Sequence, residues 1–214
     1  GVDRVRMELV RLTRLVTDAV RATTLRGAGD VPRDDLRKQC EDVSDLHIAI
    51  VEYVRKLTLG DLSEADGDRL SRLLEQVNYC DSIADTILLR LIPIDVEWDS
   101  HGFEASEDTR AMFRDLHALV VRSLADTADA IEDGDEVAAQ DVVARKAQVY
   151  DGIARIQARL ALRLRSGEAE RVTIYRLESA VLEELRHIFY FCRRIAKGVA
   201  PRVQPGAQPT TVAE

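Results

Sequence analysis

The stretch SEADGDRLSRLLEQVNYCDSIAD, Ser63 to Asp85, decides the fold class. Ser63 can accept a hydrogen bond from a backbone N–H, which suits the residue just before a helix. Glu64, Asp66 and Asp68 follow it and place negative charge at the positive end of the helix dipole. Leu70, Leu73, Val77, Cys80 and Ala84 then recur every three or four residues, and Ile87 and Leu91 continue the stripe. That spacing predicts one long amphipathic helix with a single buried face, ended by Pro93.

The pattern repeats outward in both directions. Val5, Leu9, Leu12, Val16, Ala19 and Thr23 predict a first helix over about Val2 to Arg26, closed by Gly27-Ala28-Gly29-Asp30. Pro32 sits just inside a second helix, where its missing N–H costs nothing. That helix carries Leu36, Cys40, Val43, Leu46, Ile50, Val54 and Leu57 inward, and Gly60-Asp61 breaks it near Leu59. A connection from about Ile94 to Ala105 is expected to lie on a helix through Trp98 and Phe103. Three more helices follow, over about Ser106–Ile131, Glu136–Arg165 and, after Ser166-Gly167, as far as Val199. The tail from Pro201 has no apolar period and is expected to be disordered. Aromatic content of 5 %, with 5 prolines and 11 glycines, argues against a sandwich or barrel. Short turns force antiparallel neighbours. The expected fold is all-α, two tandem antiparallel three-helix bundles lying side by side. The first repeat is placed at 1–95, a linker at 96–105, the second repeat at 106–200 and the tail at 201–214.

A single gapless offset superposes the two repeats, placing Gly29-Asp30 on Gly134-Asp135, Val43 on Gln148, Val77 on Leu182 and Ile83 on Ile188. In this register Glu41, Asp45, Asp81 and Asp85 fall on Lys146, Tyr150, Arg186 and Tyr190. Glu41 and Asp45 are four apart on the second helix, and Asp81 and Asp85 repeat that spacing on the third, at the edge of the buried stripe. If those helices are neighbours, four carboxylates share one groove and raise one another's pKa values. A divalent cation, iron or zinc would relieve the repulsion. Solvated surface acids paired with Arg37, Arg72 or Arg90 fit the same spacing. His47, one turn from Val43, is the histidine to test as a further ligand. Lys146 and Arg186 supply cations where the first repeat has acids, and the two tyrosines fit plain packing as well.

Composition narrows the function class. A net charge of -8 argues against nucleic-acid binding as a main activity, because a phosphate backbone needs a basic face. No run of eighteen apolar residues is present, and no basic-then-apolar leader is read at the start. The chain opens Gly1-Val2-Asp3 rather than on Met, as expected of a piece excised from a longer protein. Cys40, Cys80 and Cys192 each lie within an apolar stretch and read as buried free thiols. No closely spaced His or Cys pair, glycine-rich phosphate loop or nucleophile elbow occurs, so an enzyme is not expected. A carboxylate-metal enzyme activating water and a purely structural dimerisation bundle are the alternatives from other classes.

Val77-Asn78-Tyr79-Cys80-Asp81-Ser82-Ile83-Ala84-Asp85 resembles the third-helix motif of PhoU-like proteins. Glu41 to Asp45 falls on the matching second-helix motif, and Leu185-Arg186-His187-Ile188 through Ile195-Ala196 resembles the sixth-helix version. The resemblance covers about residues 3 to 200. It implies two three-helix bundles whose acidic motifs hold iron, zinc or other metals, here through Glu41, Asp45, Asp81 and Asp85. It also implies a regulator of phosphate uptake at the cytoplasmic face of the cell membrane. Tyr53-Val54-Arg55-Lys56-Leu57 to Leu62-Ser63 resembles the C-terminal domain of bacterial sodium/phosphate cotransporters, which makes the expected partner the membrane transport domain of the same polypeptide. A free-standing PhoU-type regulator, with a separate phosphate transporter as partner, is the alternative. A homodimer is compatible with either. Asp81 stands where the family usually has Glu, and the second repeat departs from its acidic pattern.

Overall fold

The computed structural model describes residues 1–23, 31–102, 105–164 and 169–199, the side chain of Ala169 excepted. The expected chain break at Gly27–Asp30, the role of Phe103, the turn at Ser166-Gly167 and the tail from Pro201 lie outside these residues. The described helices are α1 (Val2–Ala22), α2 (Arg33–Leu57), α3 (Glu64–Thr86), α4 (Ile92–His101), α5 (Glu107–Asp133), α6 (Glu136–Ala144), α7 (Lys146–Leu164) and α8 (Ala169–Val199). No strand occurs among the described residues.

Local chemistry sets most of the boundaries. The Ser63 hydroxyl accepts from the Asp66 N–H at 3.2 Å, and Ser106 caps α5 in the same way through Thr109. Gly134 ends α5 at φ 67°, a left-handed conformation that glycine adopts without Cβ strain. The Asp135 N–H then reaches back to the Ala130 carbonyl, while its carboxylate caps α6 through the N–H groups of Val137 and Ala138.

Two helices depart from the expected outline. Pro93 does not stop the third helix. Residues Ile87–Leu91 form a π-helical turn, in which the Ile92 N–H reaches the Ile87 carbonyl. Pro93 therefore enters as the second residue of α4, where a first-turn N–H has no intrahelical partner to lose. The connection begun at Ile94 is helical as far as His101, and Trp98 is buried in it. The expected fifth helix is broken at Arg145 into α6 and α7.

α1, α2 and α3 pack together as the first bundle, and α5, α6–α7 and α8 as the second. The bundles meet along α1 with α5 and along α3 with α8. Arg6 donates to the carbonyls of Ile131 and Glu132 near the end of α5, whereas Thr23 meets His117 near its start, so α1 and α5 run antiparallel. One continuous apolar core spans both halves, from Leu9 and Val16 through Val77 and Cys80 to Leu124 and Phe189.

The gapless register between the halves does not hold. Val43 and Ile50 are buried, but that register sets them on Gln148 and Arg155, which are exposed. One residue further on lie Val149 and Ile156, both buried. A single-residue slip turns a helix by about 100°, enough to exchange core for solvent. For the last helix of each half, equivalent contacts choose the register. Thr13 Oγ1 lies 3.6 Å from Cys80 Sγ, and Thr127 Oγ1 lies 3.5 Å from Cys192 Sγ. Placing Cys80 on Cys192 also brings Tyr79 onto Phe191 and Ile83-Ala84 onto Ile195-Ala196. Asp81 and Asp85 then correspond to Arg193 and Lys197 rather than to Arg186 and Tyr190. Turn length is the physical reason: Thr23 to Pro32 separate α1 from α2, but only Gly134-Asp135 separate α5 from α6.

Candidate functional site

The acidic edge of the first bundle lies where α2 and α3 pack. Asp81 is half-buried there, and its Oδ1 accepts from the Ser44 hydroxyl at 3.0 Å. His47 Nδ1 lies 3.8 Å from Asp81 Oδ2, and His47 Nε2 lies 3.0 Å from the Asn78 side-chain oxygen. Since an amide oxygen only accepts, Nε2 carries the proton of that bond. Partial desolvation beside the helices raises the Asp85 carboxyl pKa although the side chain is exposed, the Asp81 charge raises it further, and His47 opposes both. Glu41, Asp45 and Asp85 are exposed. Arg37, Arg72 and Arg90 form no ion pair with the four acids among the described residues.

This arrangement is a polar seam of Ser44, His47, Asn78 and Asp81 across two helices, with Asp85 one turn along α3. Among the described residues, no three His, Cys, Asp or Glu side chains come together as a metal-holding group. As placed, Glu41, Asp45, Asp81 and Asp85 do not form such a group. In the second half, the Lys146 ammonium lies 5.4 Å from the Tyr150 ring centroid, and Arg186 pairs with Glu183 on its own helix. Neither cation sits in a buried counterpart of the acidic groove. Arg145, which is partly buried, reaches Asp126 at 2.5 Å and Ser123 at 3.3 Å.

The three cysteines are free and buried, as their apolar surroundings imply. Burial pushes the Cys80 and Cys192 thiols up to about 12, so neither is a thiolate at neutral pH.

A second constellation sits at the other end of the helices and was not legible from sequence spacing. The start of α2, the π turn, α4, the first half of α5 and the middle of α8 enclose an apolar cavity of about 100 Å³. Its walls include Leu36, Ile92, Trp98, Phe113 and Val181. Arg33 lines the rim and bonds Asp95 at 2.5 Å and Asp99, which stand one turn apart on α4. Glu178 is only 5 % exposed; burial raises its carboxyl pKa, and Arg163 at 3.3 Å and Arg171 oppose the rise. His117 donates Nε2–H to the Val20 carbonyl at 2.8 Å, and burial pushes its pKa below the ordinary value. Arg110 pairs with Glu107 at 2.9 Å, while its Nε is buried without a hydrogen-bond partner. The i, i+4 pair Asp95 and Asp99 was the available sequence signal for this region, and it was hidden by reading the segment as a linker.

No family model matches the sequence, and no curated protein matches it either. Solved structures do. The crystal structure of PhoU from Pseudomonas aeruginosa superposes with a TM-score of 0.76 over 92 % of this chain and 94 % of that one, at 18 % identity. The phosphate transport system regulatory protein PhoU from Streptococcus pneumoniae superposes with a TM-score of 0.60 over 92 % of each chain, at 14 % identity. Six long helical arms in two side-by-side bundles, matched over nearly their whole length, give this chain the PhoU fold.

Proposed function

We propose that this protein regulates phosphate uptake through helix-bundle contact with a phosphate transport system at the cytoplasmic face of the membrane, and that it is not an enzyme. The observation that carries the reading is the end-to-end superposition on Pseudomonas aeruginosa PhoU. No described helix is long and apolar enough to cross a membrane.

In the finer reading, the chain is the regulatory domain of a sodium-dependent phosphate cotransporter, supported by the resemblance over Tyr53 to Ser63. The second reading is a free-standing regulator of a separate transporter; the Streptococcus pneumoniae neighbour is a phosphate transport system regulatory protein. Deleting the coding segment in its native host and following labelled phosphate uptake with and without sodium tests both. Altered uptake that depends on sodium supports the cotransporter. Altered uptake independent of sodium supports the separate regulator. Uptake unchanged under both conditions, at high and low phosphate, removes the function.

A further inference from the structure

The C-terminal half of α8 carries charge of the opposite sign to the chain as a whole. From Leu185 to Val199 the sequence has Arg186, Arg193, Arg194 and Lys197 and no carboxylate, in a chain whose net charge is -8. A helix dipole favours cations in its final turn only, which accounts for Lys197 and not for the other three. His187, Tyr190, Arg194 and Lys197 follow one another at spacings of three, four and three, so they share one face of the helix. That face looks outward: His187, Tyr190 and Lys197 are exposed, and Arg194 is half-buried. Arg186 meets Glu183, His187 lies 3.4 Å from Glu184, and Arg194 meets Glu75 at 2.6 Å. Lys197 and the flanking Arg193 form no ion pair among the described residues, and the Arg193 Nε is buried without a hydrogen-bond partner.

Aromatic rings lie among these cations. Arg194 stands 5.2 Å over the Tyr79 ring, and Phe191 lies 5.9 Å from Tyr79 and 5.4 Å from Tyr190. A tyrosine, with an apolar body and a polar tip, suits the boundary between lipid and water. The face is the outside of one helix rather than a groove, and no strand edge occurs among the described residues, so nothing here fixes the register of a peptide. Mobile anionic headgroups need no register. We propose that this face of α8 docks on an anionic lipid surface, with Arg193 and Lys197 among the headgroups and the Tyr190 ring at the boundary. The net charge does not forbid it. At physiological salt, charges more than about 8 Å apart are largely screened, so acids on α2, beyond α3, do not cancel a local patch. The proposed regulatory role supplies only the place where such a surface is met.

The whole chain is sedimented with vesicles of phosphatidylcholine alone and of phosphatidylcholine and phosphatidylglycerol in equal parts. Binding to the mixed vesicles should exceed binding to the neutral ones and fall as salt rises. Each cation near such a surface is worth about 5-fold in affinity, so Arg193→Gln with Lys197→Gln should weaken binding about 25-fold. Arg37→Gln with Lys38→Gln removes two exposed cations of α2 and should leave binding unchanged. Equal binding to both vesicles, or none to either, overturns the docking. An α8 variant that binds like the wild type, or an α2 variant that loses as much, overturns the choice of face. A wild-type chain that binds a glutamate-rich peptide but not the mixed vesicles overturns the lipid and assigns the face to an acidic protein segment. The wild-type titrations decide the first and last points even if the α8 variant does not fold. Phosphate uptake in the deletion host is a separate measurement, so failure of the docking and failure of the regulatory role are told apart.

Discussion

His117 shows how one buried side chain ties local chemistry to the stability of the whole. Its Nε2–H satisfies the Val20 carbonyl at the end of α1, so it joins the two halves by a single hydrogen bond. Burial lowers its folded-state pKa from the ordinary 6.5. Between that lowered value and 6.5 the unfolded chain binds the proton and the folded one does not. The contribution to stability is therefore complete above pH 6.5 and is lost as pH falls through this window. Glu178 has the opposite sign: its raised pKa adds stability at low pH that is lost as pH rises above its ordinary 4.5. His117→Gln should cost about 0.5–1.5 kcal/mol near neutral pH, the net worth of one hydrogen bond, because the Thr23 N–H and hydroxyl still reach the Val20 carbonyl. It should also lose less stability than the wild type between about pH 7.5 and about pH 5.5, because the titrating ring is gone. Urea unfolding at the two pH values measures both effects, and an equal pH slope in the two proteins would contradict the assignment.

The acids of α2 and α3 lead to a different expectation at the same scale. Their spacing was legible in the sequence, and so was the nearness of His47. Their convergence was not, because a spacing of four fixes the face of a helix and not where a side-chain oxygen ends. Asp81 turns to Ser44 and His47, while Glu41, Asp45 and Asp85 stay exposed. Asp81→Asn together with Asp85→Asn should cost no more than about 1 kcal/mol, because an amide oxygen at position 81 can still accept from the Ser44 hydroxyl. A chelator should leave the melting temperature of the native protein unchanged. A fall in melting temperature on chelation, abolished in the double variant, would return these residues to a metal site.

Among the elements, caps and stripes were read correctly from sequence, whereas continuity was not. Ser63 caps the helix it precedes, because a hydroxyl there has one obvious use. Pro93 was taken for a stop because a proline inside an α-helix removes a bond; the π turn before it lets the helix restart with that bond already missing. The register error has a related origin. A stripe of period near 3.5 looks the same after a shift of seven, so the third and sixth helices align almost as well one heptad out of place. Only the paired Thr–Cys contacts choose between the alternatives. Asp135 closes the tightest inter-helix turn by accepting from Val137 and Ala138. Asp135→Ala should cost about 1 kcal/mol, and Asp135→Ser should recover most of it. Equal stability of the two variants in thermal unfolding would remove the capping role.

On the scale of the whole molecule, the sequence divides into two repeats, but the structure has one core. α1 and α3 each pack inside the first bundle and also against the second, and the most extensive packing of each crosses the repeat boundary. Arg6, Arg14, Arg176 and Arg194 add polar ties across that boundary, to the α5 carbonyls, Glu132, Glu97 and Glu75. Leu9, Val16, Val77 and Phe189 belong to one continuous cluster rather than two. Removing one half would expose that cluster on the other, leaving an apolar face far larger than a soluble monomer usually carries. Chains of residues 1–102 and 105–199 prepared separately should each lack a cooperative thermal transition or self-associate through the bared face. Mixed in equal amounts, they should recover helicity and a single transition, because the α1–α5 and α3–α8 contacts need no covalent link. A cooperative, monomeric transition from residues 1–102 alone would mean that the repeats are independent domains, and that a ligand or partner acting between them could not draw on a shared core.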